Sequence, residues 1–187
     1  MEADRDPVAE TRIWLEKVVI GLNLCPFAKA VHARNQIRYV LSAAEDPETL
    51  LAELVRELQV LHAAPPEEID TTLLIHPRVL DDFLDYNDFL DIADDSLEEL
   101  GFTGELQIAS FHPQYQFAGT HIDDIENYTN RSPYPMLHLL REESVERAVD
   151  AFPDTDSIYE KNIETMRRIG QDGLKEIFCR SSNNGSN

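Results

Sequence analysis

The chain has 187 residues, of which 42 % are hydrophobic, and this length and composition suit one domain with a buried core. They exclude a fibrous, collagen-like or wholly disordered protein. Asp and Glu number 36 against 16 Lys and Arg, which gives a formal net charge of −20 at pH 7. Such a charge repels phosphate backbones and anionic lipids, so we expect neither nucleic acid nor membranes among the partners.

The amino terminus is acidic and has no apolar run, so we expect no signal peptide and a cytoplasmic location. No stretch reaches the roughly 18 consecutive apolar residues of a membrane-spanning helix. Cys25 and Cys179 are far apart in the sequence, and without a secretory signal we expect both thiols to be reduced.

In the first half of the chain, helical and strand patterns alternate. Apolar residues recur every three or four positions in some segments and alternate, or run continuously, in others. The predicted elements are a helix over residues 8–24, a short turn after Pro26, a strand over 36–42, a helix from the cap at Asp46 to Ala64, and a strand over 71–75.

The second half predicts a helix over 79–100, a strand over 105–111, and helices over 136–152 and 154–180. Between this strand and Pro135 lies a loop of about 20 residues without clear periodicity. Loops of this length within a domain are usually functional or disordered. Several aromatic residues in the loop favour an ordered, functional segment.

The order of these elements predicts an α/β fold, with α+β as the alternative. Strands joined by helical crossovers tend to be parallel, so we expect a small, partly parallel sheet of three to five strands flanked by helices. The carboxyl-terminal part is predicted to be helical. We expect one domain over residues 1–180 and a disordered tail over 181–187.

Two predicted strands end in the same dipeptide, His76-Pro77 and His112-Pro113. Ligands of open α/β sheets bind beyond the carboxyl ends of strands. If the two strands are parallel neighbours, His76 and His112 emerge side by side. Each histidine could instead satisfy a strand end or turn, but His112 also opens the long polar loop, which makes it our candidate general acid or base.

The long loop concentrates acids, amides and one guanidinium, which are groups that bind and orient small polar molecules. Arg131 is the only cation between Arg78 and Arg141, so it either pairs with a nearby acid or binds an anionic group of a substrate. We take Asp124 as an orienting catalytic residue. The candidate substrate-binding residues are Tyr115, Gln116, Asn127, Asn130, Arg131, Ser132 and, beyond the loop, His138.

Cys25 precedes Pro26 at the start of a helical turn, where the helix dipole favours a thiolate, so it is an optional catalytic nucleophile. Its apolar neighbours favour instead a buried core thiol. No nucleotide-binding or metal motif identifies a cofactor. A metal site of His76, His112 and His121 is kept as an alternative.

Three motifs resemble one bacterial family, domain of unknown function 1415. They are Asn23-Leu24-Cys25-Pro26-Phe27-Ala28, then Phe111-His112-Pro113-Gln114-Tyr115-Gln116-Phe117, and then residues 127–135 followed by His138-Leu139-Leu140-Arg141-Glu142. The resemblance covers residues 11–170. It implies a compact single-domain bacterial protein, and no reaction, cofactor or catalytic residue.

The sequence leaves three hypotheses about function. The first is an enzyme that acts on a small polar or anionic metabolite through His112, Asn130 and Arg131. The second is a non-catalytic binding or adaptor protein whose acidic segment, residues 81–99, docks a basic partner, although a solvated helix face is the default interpretation of that segment. The third is the histidine-based metal protein.

Overall fold

The computed structural model describes residues 6–151 and 156–183, with side chains described for residues 6–151 and 157–177. Its helices are α1 (Pro7–Trp14), which a π-helix (Leu15–Ile20) continues, α2 (Ala28–Ala33), α3 (Pro47–Ala63), α4 (Phe83–Leu100), α5 (Glu142–Ala151) and α6 (Asp156–Asn183). A 3₁₀-helix spans Ile125–Asn130. The strands are β1 (Ile37–Leu41), β2 (Thr71–Ile75), β3 (Leu106–Phe111) and β4 (Met136–Arg141).

The four strands form one mixed sheet in the order β1-β2-β4-β3. Strands β1 and β2 are parallel, whereas β4 runs antiparallel to both of its neighbours, β2 and β3. Helices flank the sheet, and α6 closes the described chain. The predicted α/β class, with a small and partly parallel sheet, is therefore confirmed.

The segment 136–141 corrects the predicted helix over 136–152. It is the strand β4, and the helix α5 begins only at Glu142. Leucine favours helices, but here both sides of the segment are paired by strands and both of its faces are covered. Strand preference depends on such surroundings, so pairing and burial outweigh the intrinsic preference of the segment.

The two faces of the sheet support separate hydrophobic cores. Leu74, Leu137 and Leu139 point to one face and pack with buried residues of α3 and α4, such as Leu54 and Tyr86. The residues between them along the strands point to the opposite face, because side chains alternate in a strand. That face packs against α1, the π-helix and α6 through Leu73, Ile75, Met136, Trp14, Val18 and Met166.

Two helix starts show how local sequence fixes the boundaries. The Asp46 carboxylate accepts a hydrogen bond from the Thr49 N–H at 2.8 Å, which confirms the predicted cap of α3. Asp82 accepts one from the Leu84 N–H at 2.8 Å, so α4 begins at Phe83, later than the predicted residue 79.

Helix α6 extends to Asn183 with a break at Gly170, whose φ of 72° lies in the left-handed region. Residues 184–187, in the predicted disordered tail, lie outside the described residues, and the tail stays a prediction. None of the described helices combines the length and apolarity that a bilayer span requires.

Candidate functional site

The guanidinium of Arg131 binds the long loop together. It donates to the carbonyl of Ile122 at 2.5 Å and to that of Tyr115 at 3.4 Å. It also lies over the ring of Tyr128, 4.4 Å from the centroid. Arg131, the only cation of the loop, therefore stabilises the conformation of the loop through backbone carbonyls, which the sequence did not indicate.

Asn127 is the buried centre of the loop. Its carbonyl oxygen accepts hydrogen bonds from the Phe117 N–H and the Thr120 hydroxyl, both at 2.9 Å, and its amide nitrogen donates to the carbonyl of His121 at 2.7 Å. The Asp124 carboxylate accepts a hydrogen bond from the N–H of His121 at 2.8 Å, within a tight turn. The loop is thus ordered by its own polar side chains.

The other predicted loop residues also make local contacts. Asn130 donates to the Ser110 carbonyl at 3.2 Å, Ser132 to the Tyr134 carbonyl at 2.6 Å and Gln116 to the Thr120 carbonyl at 2.5 Å, while the ring of Tyr115 contacts those of Phe83 and Phe117. Side chains that satisfy backbone groups hold a loop in shape, and their capacity to bind a substrate is reduced accordingly.

Both ring nitrogens of His112 are hydrogen-bonded. Nδ1 accepts from the Gln114 N–H at 3.0 Å, so Nε2 carries the proton and donates to the Leu80 carbonyl at 3.1 Å. The residue is buried, and burial lowers the pKa of its imidazole. The ring is therefore neutral, with neither nitrogen free for a substrate.

His76 has a similar position at the end of β2. Its Nδ1 donates to the Val79 carbonyl at 2.9 Å, and burial lowers its pKa to about 4. β2 and β3 run in the same direction, but β4 lies between them, so His76 and His112 approach Tyr86 at centroid distances of 5.8 and 5.0 Å instead of meeting directly. Together the histidines hold a turn in which Leu80 has the unusual φ of 59°.

His121, the third residue of the metal alternative, is exposed in the turn of the loop. Among residues 6–151 and 157–177, no three side chains of His, Cys, Asp and Glu are close enough together to hold a metal ion.

A cavity of about 750 Å³ lies on the face of the sheet that packs against α1 and the π-helix, opposite to the face that contacts α3 and α4. One wall is formed by α1 and the π-helix, including Trp14, Leu15 and Val19, and continues through the segment 25–34. The other wall is the helix α5, with Val145 and Ala148. π-Helical turns are rare and occur often at functional sites, so this wall is unusual in itself.

The strands form the floor of the cavity. The register places Thr71, Leu140 and Gln107 in one row across the sheet, and Leu73, His138 and Ala109 in the next row. Because directly paired residues share a face, these side chains point to the same side. Of them, Thr71, Gln107 and His138 supply polar groups within a mostly apolar lining.

His138 is bonded to Thr71 on the floor. Its Nε2 lies 2.7 Å from the Thr71 hydroxyl oxygen, which itself donates to the Leu139 carbonyl at 2.6 Å. The imidazole lies deep within the protein, and desolvation lowers its pKa to about 4. The residue is nevertheless only partly buried, and it lines the cavity.

Charged residues of both signs surround the opening of the cavity. Arg34 and Arg147 are exposed there, with Glu67, while the carboxylate of Asp70 accepts a hydrogen bond from the Ser144 hydroxyl at 2.6 Å. The opening therefore has no strong preference for the charge of a ligand.

Two predicted site residues, Cys25 and His138, line this cavity, although they are 113 positions apart in sequence (138 − 25). The others do not line it: His112, Tyr115, Gln116, Asp124, Asn127, Asn130, Arg131 and Ser132. Thr71 and Gln107 were missed. The only signal for either residue was its polar side chain within an apolar strand. That signal does not show which residue of the neighbouring strand lies beside it.

The model of one protein family matches residues 6–176, and its description reads "Protein of unknown function (DUF1415)". No curated protein and no solved structure matches the chain significantly.

Proposed function

The chain belongs to the DUF1415 family, whose description assigns no activity, and we propose from the cavity that the protein binds a small, largely apolar molecule between its sheet and the helices α1, α2 and α5. The observation that carries the proposal is the composition of the lining, which is mostly apolar, with a few polar side chains on the floor and charged residues only around the opening. Ligand pockets commonly combine these features, and their volumes are about 300–1,000 Å³.

Physical chemistry favours an apolar occupant over water. Water molecules against side chains such as Leu73, Phe111 and Leu140 lose hydrogen bonds that the wall cannot replace. An apolar ligand releases that water and gains roughly 25 cal/mol for each Å² of apolar surface it buries. The polar groups on the floor then determine which end of the ligand enters first.

Trp14 allows a direct test, because it is the single tryptophan of the chain and it lines the cavity. We expect 1-octanol, a probe that is transparent where tryptophan absorbs, to change the emission of Trp14 in a saturable manner. Ala148→Phe, which adds a ring to the α5 wall, should weaken binding by about tenfold or more.

Val149→Phe is the matched control. Val149 is the next residue of α5, is 40 % exposed and does not line the cavity. The affinity for octanol should be unchanged in this variant, and thermal melts should show both variants folded. Equal loss of binding in the two variants, or no saturable change in the wild type, would contradict the proposal.

Cys25 gives a second, independent measurement. In a Cys179→Ser background it is the only thiol, and octanol in the cavity should slow its alkylation by N-ethylmaleimide. Alkylation at the same rate with and without octanol would count against occupation of this cavity. A catalytic role for Cys25 stays a prediction.

The polar-loop enzyme and the acidic adaptor also stay predictions. The loop contacts described above give the enzyme no support, because Arg131 and His112 donate to carbonyls of the protein itself. The acids of α4 are exposed, as either a solvated face or a docking surface requires. Neutralising Asp85, Asp88 and Asp95 together should abolish a pull-down interaction if the adaptor hypothesis is correct.

A further inference from the structure

We propose that the molecule bound in the cavity carries a hydroxyl or N–H group that donates a hydrogen bond to Nδ1 of His138. This inference rests on the proposed function, since it concerns the ligand of the same cavity. It narrows the ligand class from apolar molecules in general to those with a hydrogen-bond donor at the end that reaches the floor.

Thr71 determines which nitrogen of His138 carries the proton. A threonine hydroxyl has one hydrogen, and the 2.6 Å contact with the Leu139 carbonyl uses it, because a carbonyl can only accept. The 2.7 Å contact between the Thr71 oxygen and Nε2 of His138 must then be donated by the imidazole. Nε2 is protonated, and Nδ1 keeps a lone pair.

That lone pair is free for a ligand. Nδ1 has no hydrogen-bond partner among the described residues, and it is not one of the polar atoms that are fully buried without a partner. The ring lines the cavity and is partly buried, so its remaining surface faces this space. The low pKa of the imidazole agrees with this geometry, because a ring that stays neutral at about pH 7 leaves Nδ1 an acceptor.

The position of His138 places this acceptor deep in the site. It pairs with Leu73 of β2 and Ala109 of β3, in the middle of the sheet, and both neighbours are apolar. A donor that reaches Nδ1 is therefore removed from water, and leaving the acceptor without a partner beside an apolar ligand is costly. The site should bind molecules of the same shape that have no donor more weakly.

Two isomers provide the test. 1-Octanol has a hydroxyl group, whereas 1-methoxyheptane has the same formula and nearly the same length but no donor. Trp14 emission gives the dissociation constants of both. We divide the dissociation constant of 1-methoxyheptane by that of 1-octanol and expect this ratio to be roughly three- to tenfold higher in the wild type than in His138→Leu. Because both proteins bind the same two ligands, differences in ligand hydration cancel in the comparison.

Three further variants complete the design. His138→Gln retains an acceptor and should keep part of the preference if His138→Leu fails to fold. Leu140→Ala alters the neighbouring lining without removing a polar group, so it should change both affinities by the same factor. Thr71→Val removes the group that fixes the tautomer and should reduce the preference without abolishing binding.

Nitrogen NMR of the imidazole rings reads the tautomer directly, and we expect His138 to be protonated on Nε2. A proton on Nδ1, or a preference for the alcohol that is unchanged in His138→Leu and His138→Gln, would overturn the inference while both isomers still bind. If neither isomer binds the wild type, the proposed function itself fails, and this inference fails with it.

Discussion

His112 and Arg131 carry the polar chemistry that is most apparent in the sequence, and the protein uses both internally. Their partners are carbonyl oxygens, which every residue has, so no sequence pattern distinguishes a histidine that serves a turn from one that serves a substrate. His138 showed the converse. It is a predicted ligand-binding residue, and it does line a cavity, but one beside Thr71 that no residue of the loop lines.

The burial of His138 predicts a pH dependence of stability. Its pKa is about 4 in the folded protein and about 6.5 in the unfolded chain, so between these values the unfolded chain binds more protons. The contribution of His138 to the free energy of unfolding should be fully present above about pH 6.5. As the pH falls to about 4, the free energy of unfolding should decrease by about 3 kcal/mol because of this residue. Urea denaturation at a series of pH values measures it.

His138→Leu should reduce the dependence of the free energy of unfolding on pH. A similar dependence due to His76 should remain in this variant, since burial also lowers the pKa of His76 to about 4. Leu140→Ala is the control, because it removes packing without removing a titratable group, and its effect on stability should be the same at about pH 7 and about pH 5. A wild-type slope that His138→Leu leaves intact would show that the imidazole is not desolvated as described.

At the scale of elements, the sequence predicted those with clear local signals. The cap at Asp46 determines where α3 begins, and the apolar run Thr71–Ile75 identifies β2. Both signals lie within a few neighbouring residues of the sequence. β4 has no such signal, because Met-Leu-His-Leu-Leu-Arg is compatible with a helix, and only pairing with β2 and β3 selects the strand. The cavity could not be predicted for the same reason, since its floor depends on the position of β4.

Hydrogen exchange can test the central position of β4. The amides of Leu137, Leu139 and Leu140 should be among the slowest to exchange, because strands pair with β4 on both sides. On the edge strand β1, only alternate amides face a neighbouring strand, so protected and unprotected positions should alternate. Fast exchange over 136–139 would instead suit the unpaired first turn of a helix that begins at Met136, which is the original prediction.

At the scale of the whole molecule, the net charge of −20 is a source of repulsion. The exposed face of α4 shows it locally: desolvation by the surrounding protein raises the pKa of Asp94, and the carboxylates of Asp91 and Asp95 raise it further. A raised carboxyl pKa means that ionisation at neutral pH opposes folding. Only four of the 16 basic residues are lysines, and a surface rich in acids and poor in lysine suits a salt-rich solution.

Salt should therefore stabilise the protein. Increasing NaCl from about 0.05 M to about 0.5 M shortens the screening length and weakens repulsion between exposed acids. We expect Tm to rise by roughly 2–4 °C, which corresponds to about 1 kcal/mol for a domain of this size. The triple variant Asp91→Asn, Asp94→Asn, Asp95→Asn should melt higher at low salt and gain less from salt. A Tm that is constant or falls with salt would contradict this account.

The strand order also constrains how the chain reaches its native state. β1 and β2 can pair as soon as residue 75 has been made, but β3 has no neighbour in the sheet until β4, residues 136–141, arrives between it and β2. Until then, the edges of β2 and β3 are unsatisfied, and such edges invite association between chains. During synthesis the protein is thus most vulnerable to aggregation between residues 111 and 141, and insertion of the completed β4 ends that vulnerability by joining the two halves of the sheet.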